Sequence, residues 1–265
     1  MQSPMNVKTS FLGSSGIQPS GNGRRSDRDD GGTDPHTLPN EITTGTTTVG
    51  AVGTDGVVLA ADRRASLGGK FVTNQSARKI EPVADRTAVA FSGSVSDAQS
   101  FVRHLRAELR GYELRHGDAA SVETAATVAG DLVRRGPYRI LDLVLAGVDD
   151  GPAVYQIGGG GGVMDTAYAA SGSGMQLAYG SLEGGYEPDL PLADLRRVVA
   201  IAVQSATERD TASGDGMTIA TITADSLDLE QFGSVADGVA STGDGAGNVG
   251  SNDPNAIEES DEEVR

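Results

Sequence analysis

One junction in the sequence could support chemistry built partly from the backbone itself: Gly45 followed by Thr46, in the run GTTTVG. A threonine hydroxyl is a poor nucleophile until a base removes its proton. One solution uses the α-amine of the same residue, so that an N-terminal threonine supplies both groups. The α-amine titrates at about 7.7–8.0, close to neutrality, which suits a general base better than a lysine side chain does. Such an enzyme must be made with a pro-segment and then cut. Glycine in front of the threonine favours that step: without a Cβ it lets the bond take an unusual conformation and lets the Thr46 hydroxyl reach its carbonyl. Three threonines opening an apolar run also suit a β-strand on propensity alone, so the surrounding elements must decide.

Other chemistries are poorly supplied. The chain has no cysteine, which removes disulfides, thiol nucleophiles and Cys-ligated metals. His36, His104 and His116 are scattered, and the last two fall in an arginine-rich helix as surface residues. The glycine run at 158–162 lacks the Gly-Lys-Ser/Thr ending that would place a lysine on phosphates, so no nucleotide site is expected there. Asp149-Asp150-Gly151 reads as a turn between strands and not as a metal site. No cofactor is expected. The net charge of −16 and isoelectric point near 4.5 argue against nucleic acid, whose phosphates need a basic face. Only Lys8, Lys70 and Lys79 among the 21 basic residues are lysine, and the acidic charge is spread along the chain, as suits solubility in a salt-rich cytosol. The N-terminus has no signal-type apolar core and no 18-residue apolar stretch occurs, so neither secretion nor a membrane is expected and the chain is read as cytoplasmic. Asn74-Gln75-Ser76 is then a chance match to a glycosylation site.

The elements that would position Thr46 begin with it. Runs at 46–52 and 56–62 flank Asp55-Gly56, a strong hairpin signal. Further strand-like runs at 78–83 and 87–93 extend this into an antiparallel meander. Ala98, Phe101, Val102, Leu105, Leu109 and Tyr112 then recur at helical spacing, with Arg103, Arg106 and Arg110 on the other side. A second helix is expected at 119–135, strands at 139–148, 153–158 and 162–171, helices from Gly174 and over 191–207, and closing strands at 217–223 and 227–232. Strands, two helices, strands, two helices, strands is the order of an α+β, four-layer αββα sandwich, with two antiparallel sheets between two helical layers. Residues 1–45 and the acidic stretch from 233 to 265 lack the apolar runs needed to offset chain entropy, which leaves 46–232 as the folded unit.

Several spaced stretches in one order resemble archaeal-type 20S proteasome β subunits, which are N-terminal-nucleophile hydrolases. They are GTTTVG at 45–50, DGVVLAADRRAS at 55–66, RKI at 78–80, FSGSVSDAQ at 91–99, ASGSG at 170–174 and ERDTASGDG at 208–216. The resemblance implies a threonine endopeptidase that frees Thr46 by self-cleavage after Gly45, removing a 1–45 pro-segment. Thr46 would be the nucleophile. Asp62 would hold Lys79 beside the Thr46 hydroxyl, where a cation favours the alkoxide. Gly93 would offer its backbone N–H to the oxyanion, and Ser173, Asp210 and Ser213 would orient the freed amine. The pocket for the residue before the cut bond would be lined by Ala65, Ser66, Leu67, Thr73, Ala77, Phe91 and Val95, an apolar set that favours cleavage after hydrophobic residues, with Glu81 nearby. The resemblance further implies stacked heptameric rings with proteasome α subunits and other β subunits, and an ATP-dependent unfoldase that delivers unfolded proteins. A β ring subunit of the same fold without activity is the alternative.

Overall fold

The computed structural model describes residues 45–67, 69–138 and 140–243, so most of the expected pro-segment and the end of the acidic tail lie outside the described residues. The chain opens with β1 (Thr47–Val52) and β2 (Gly56–Asp62), paired antiparallel as the Asp55-Gly56 turn predicts. A small hairpin follows, β3 (Ala65–Leu67) with β4 (Phe71–Asn74). Next come β5 (Ile80–Ala84), β6 (Thr87–Gly93), α1 (Val95–His116) and α2 (Val122–Arg135). Then β7 (Leu141–Val148), β8 (Pro152–Ile157), β9 (Val163–Asp165) and β10 (Tyr168–Gly172) lead to α3 (Met175–Gly185) and α4 (Leu192–Thr207). The described chain closes with β11 (Met217–Thr223), β12 (Leu227–Phe232) and the short α5 (Val235–Ala240).

Two five-stranded antiparallel sheets result, ordered β10-β1-β2-β11-β12 and β5-β6-β7-β8-β9. Three apolar clusters fill the three interfaces of a four-layer αββα sandwich. Side-chain alternation on a strand decides which cluster a residue joins. On β2, Val57, Leu59 and Ala61 face the other sheet, while Val58 and Ala60 face α3 and α4. All are fully buried, which is why GVVLAAD reads as an unbroken apolar run. The second sheet packs its outer face on α1 and α2 through Phe91, Phe101, Leu105, Val133 and Leu143. Helix ends are fixed locally: the Ser94 hydroxyl accepts from the Asp97 N–H at the start of α1, and Gly117 ends it in the left-handed region at φ 86°. Asp149, the expected turn residue, accepts from the Val122 N–H at the start of α2.

Four expectations need correction. The first four strands do not form one meander, because β1 and β2 lie in one sheet and β5 and β6 in the other. The 63–79 segment makes the crossing, and its β3–β4 hairpin was not anticipated. The run at 162–171 is two strands in different sheets: β9 pairs with β8 and β10 with β1, with the chain changing sheets at 166–167. The fold does not stop at 232 either. Ser234 caps α5, whose Val235 and Val239 pack on the same cluster as α4 and β11, so residues 233–243 belong to the packed unit and not to a solvated tail. No helix among the described residues is long and apolar enough to cross a membrane.

Candidate active site

Strand ends from both sheets meet where β1 begins. Thr47 pairs with Gly172 at the end of β10, and Thr48 pairs with Ala61, next to Asp62 at the end of β2. Asp62 is in turn paired with Met217, which opens β11 directly after the 210–216 loop. Gly93 ends β6 in the facing sheet, and Lys79 immediately precedes β5. Residues far apart in sequence thus converge because antiparallel strands bring alternate ends of the chain to one edge of the sandwich.

Thr46 is 3 % exposed, and its hydroxyl donates to the Gly45 carbonyl at 2.7 Å. Its N–H donates to Ser173 Oγ at 3.2 Å, and Ser173 Oγ donates to Asp210 Oδ2 at 2.5 Å. Ser213 Oγ also donates to Asp210 Oδ2, at 2.7 Å, and lies 2.8 Å from Thr47 Oγ1. Since the single Ser213 proton is given to the carboxylate, Thr47 must donate to Ser213. The Asp210 carboxylate therefore gathers two hydroxyl chains, one ending at the Thr46 nitrogen and one at the Thr47 side chain.

A second carboxylate organises the other side. Asp62 Oδ1 accepts from Lys79 Nζ and from the Thr47 N–H, each at 2.8 Å, which holds Lys79 one residue from Thr46. Asp62 Oδ2 accepts the N–H of Arg64 at 3.1 Å and that of Gly214 at 2.8 Å. Burial pushes the Asp62 carboxyl above the usual carboxylate range, opposed by Lys79 and by the N–H groups of Thr47 and Gly214. Burial likewise pushes the Lys79 ammonium down from its ordinary value, opposed by the Asp62 charge.

Glycines let these segments approach. A Cβ on Gly172, at φ 95°, would lie 2.0 Å from the Thr46 carbonyl oxygen, and one on Gly93, at φ 114°, would lie 2.2 Å from the Ile140 carbonyl oxygen. Ser92 and Ser171, each one residue before those glycines, share a buried hydrogen bond of 2.6 Å that ties the two sheets together.

All seven expected catalytic positions thus lie around the start of β1, six of them joined by these hydrogen bonds and Gly93 at the facing strand end. Sequence reasoning missed Thr47, Arg64, Gly172 and the backbone of Gly214, and it expected Ser66 in the pocket instead of at the junction. Ser66 Oγ accepts from the Gly45 N–H at 3.3 Å, and Arg64 holds the 211–215 loop through two bonds to Asp215 and one to the Thr211 carbonyl. A usable signal exists for all four missed residues, since Thr47, Arg64, Gly172 and Gly214 each sit inside one of the spaced motifs.

Beside this centre lies a cavity of about 590 Å³. Of the expected pocket residues, Ala65, Thr73, Ala77, Phe91 and Val95 line it. Ser66 and Leu67 do not: Ser66 points the opposite way from its neighbour Ala65 and is turned to Gly45, and Leu67 is half exposed where the strand ends. Arg78, Glu81, Gln99, Arg103 and Arg106 also line the cavity, so its wall is less apolar than expected.

The proteasome subunit family model matches residues 42–222. Proteasome subunit beta of Halorhabdus utahensis is 48% identical over 199 residues, covering 75% of this chain and 85% of the relative. Proteasome subunit beta 2 of Haloterrigena turkmenica is 48% identical over 71% of this chain and 79% of its own length, and proteasome subunit beta 1 of Haloarcula marismortui is 46% identical with the same coverage. With its αββα sandwich and the strand-end cluster around Thr46, the chain belongs to the proteasome subunit family, as a core β subunit of the haloarchaeal type.

Proposed function

We propose that the chain is a threonine endopeptidase that activates itself by cleaving Gly45–Thr46. The observation that carries this reading is the Thr46 hydroxyl, buried and hydrogen-bonded to the carbonyl of the bond to be cut. Attack of that oxygen on the Gly45 carbonyl carbon would transfer the acyl group from the Thr46 nitrogen to its oxygen, and water would then hydrolyse the ester. The freed amine would stay on Ser173 and Asp210, which hold the same nitrogen in the uncut chain.

In the mature site the amine takes the Thr46 hydroxyl proton as the oxygen attacks the substrate carbonyl, while the Lys79 cation stabilises the developing negative charge. The Gly93 N–H receives the oxyanion. Collapse expels the amine fragment, protonated by the Thr46 ammonium, and leaves an ester on Thr46 that water hydrolyses by the same proton path. No cofactor enters any step. Such a site has little means of rejecting a folded protein by recognition, so access is its natural control. The family's assembly into rings fits that need, with α subunits and further β subunits as neighbours, an ATP-dependent unfoldase delivering unfolded chains, and the cytoplasm as location.

The test compares two chains made to start at position 46, one with Thr46 and one with Thr46→Ala, each assembled with its α partner in high salt. Hydrolysis of short fluorogenic peptides by the first and not by the second is expected. Equal hydrolysis by both would refute the proposal.

A further inference from the structure

The cavity beside Thr46 carries an arrangement of charge that an apolar pocket would not need. Ala65, Ala77, Phe91 and Val95 give part of the wall an apolar surface, and Ala65 directly precedes Ser66, the residue bonded to Gly45. The same wall carries one carboxylate-bearing residue, Glu81, and three arginines, Arg78, Arg103 and Arg106. This excess of positive charge lies in a chain whose net charge is −16.

Glu81 is not available to select a basic side chain. Its Oε2 accepts from Arg106 at 2.9 Å and its Oε1 faces Arg78 Nε at 3.4 Å, so both oxygens already meet guanidinium groups. Arg106 is further anchored on the Pro82 carbonyl through Nε at 2.9 Å. Arg103, one helical turn before Arg106, makes no ion pair among the described residues. A lysine or arginine entering the cavity would therefore meet a spent carboxylate and a net positive wall. A glutamate could lay its methylenes on the apolar wall and offer its carboxylate to Arg103, whose guanidinium can make a planar two-point contact.

We propose that this pocket makes the chain cleave after acidic residues in preference to basic ones, with Arg103 as a specificity-determining residue. The proposal rests on the peptidase reading and on the same site. Contact of this kind also suits a salt-rich solvent. At 1 M ionic strength the screening length is about 3 Å, so long-range steering is lost and only direct hydrogen-bonded charge pairs still discriminate.

The test uses the assembled particle in molar KCl with three fluorogenic peptides identical except for Glu, Gln or Arg before the cut bond. Glu is expected to exceed Arg at least tenfold in kcat/KM. Glu should also exceed the isosteric Gln about tenfold, which corresponds to ~1.4 kcal/mol. Arg103→Gln, a change on the exposed face of α1, should bring the Glu/Gln ratio toward one. Arg cut as well as Glu, or a Glu/Gln ratio that Arg103→Gln leaves unchanged, would overturn the proposal. Those failures differ from failure of the peptidase reading, in which Thr46→Ala would cut every peptide as the parent does or neither would cut any.

Discussion

A single methyl group at Gly45 separates self-cleavage from peptide hydrolysis. A Cβ built there would lie 1.6 Å from Ala212 Cβ, 2.7 Å from its Cα and 2.9 Å from its carbonyl oxygen. Carbon atoms in ordinary contact sit about 3.5 Å apart or more, so the two segments must separate by about 2 Å. Ala212 is poorly placed to give way. Its N–H bonds Asp210, its neighbour Thr211 holds Arg64, and Gly214 bonds the buried Asp62. The shift therefore falls on the junction, displacing the Gly45 carbonyl from the Thr46 hydroxyl. A 1 Å misplacement of reacting atoms can cost about 100-fold in rate, so Gly45→Ala should slow processing at least ~100-fold. The assay is intact mass against time after assembly. Because Gly45 is absent from the mature chain, a chain made to start at Thr46 should hydrolyse peptides at the parental rate, while the full-length Gly45→Ala form stays uncut and inactive over the same time. Processing of Gly45→Ala within a few-fold of the parent would refute the steric argument.

Other perturbations probe the rest of the centre. Lys79→Ala leaves Asp62 charged and unpaired in the interior, so activity should vanish and denaturant unfolding should show a loss of about 3–5 kcal/mol; a variant that stays equally stable would contradict the buried pair. Removing one hydroxyl of the Ser92–Ser171 tie strands its partner at a cost of about 1–3 kcal/mol. The double alanine variant should lose less than the sum of the singles, and additive losses would mean that the bond contributes nothing. Arg64→Lys keeps the charge and loses the two-point grip on Asp215. Its kcat should fall with KM little changed, whereas a pure KM effect would place Arg64 in substrate binding instead.

The sequence made the opening hairpin, the four long helices and the layer order readable, because each rests on periodicity or on a turn signal within about twenty residues. What stayed hidden depends on contacts between distant segments. Nothing local tells that Asp165 and Tyr168 belong to different sheets, since both lie in one apolar run and only their partners differ. The helix α5 was lost in the acidic composition that follows it, although Ser234 with an N–H partner at Asp237 is an ordinary helix start. In the active centre, Asp62, Lys79 and Asp210 were found through spaced motifs, whereas Thr47 read as strand propensity because its hydroxyl partner is 166 residues away. Arg103 and Arg106 read in the sequence as the solvent face of α1, and they line the cavity because the β5 edge and the 73–78 segment stand beside that face.

The central claim is that Thr46 cuts its own chain and then serves as the nucleophile. The most direct test is the intact mass of the assembled particle, purified in high salt, beside a Thr46→Ala form. The parent is predicted to begin at Thr46, and Thr46→Ala to retain the residues before it and show no peptidase activity. A parent left uncut in assembled rings, or an equally processed Thr46→Ala, would contradict the account.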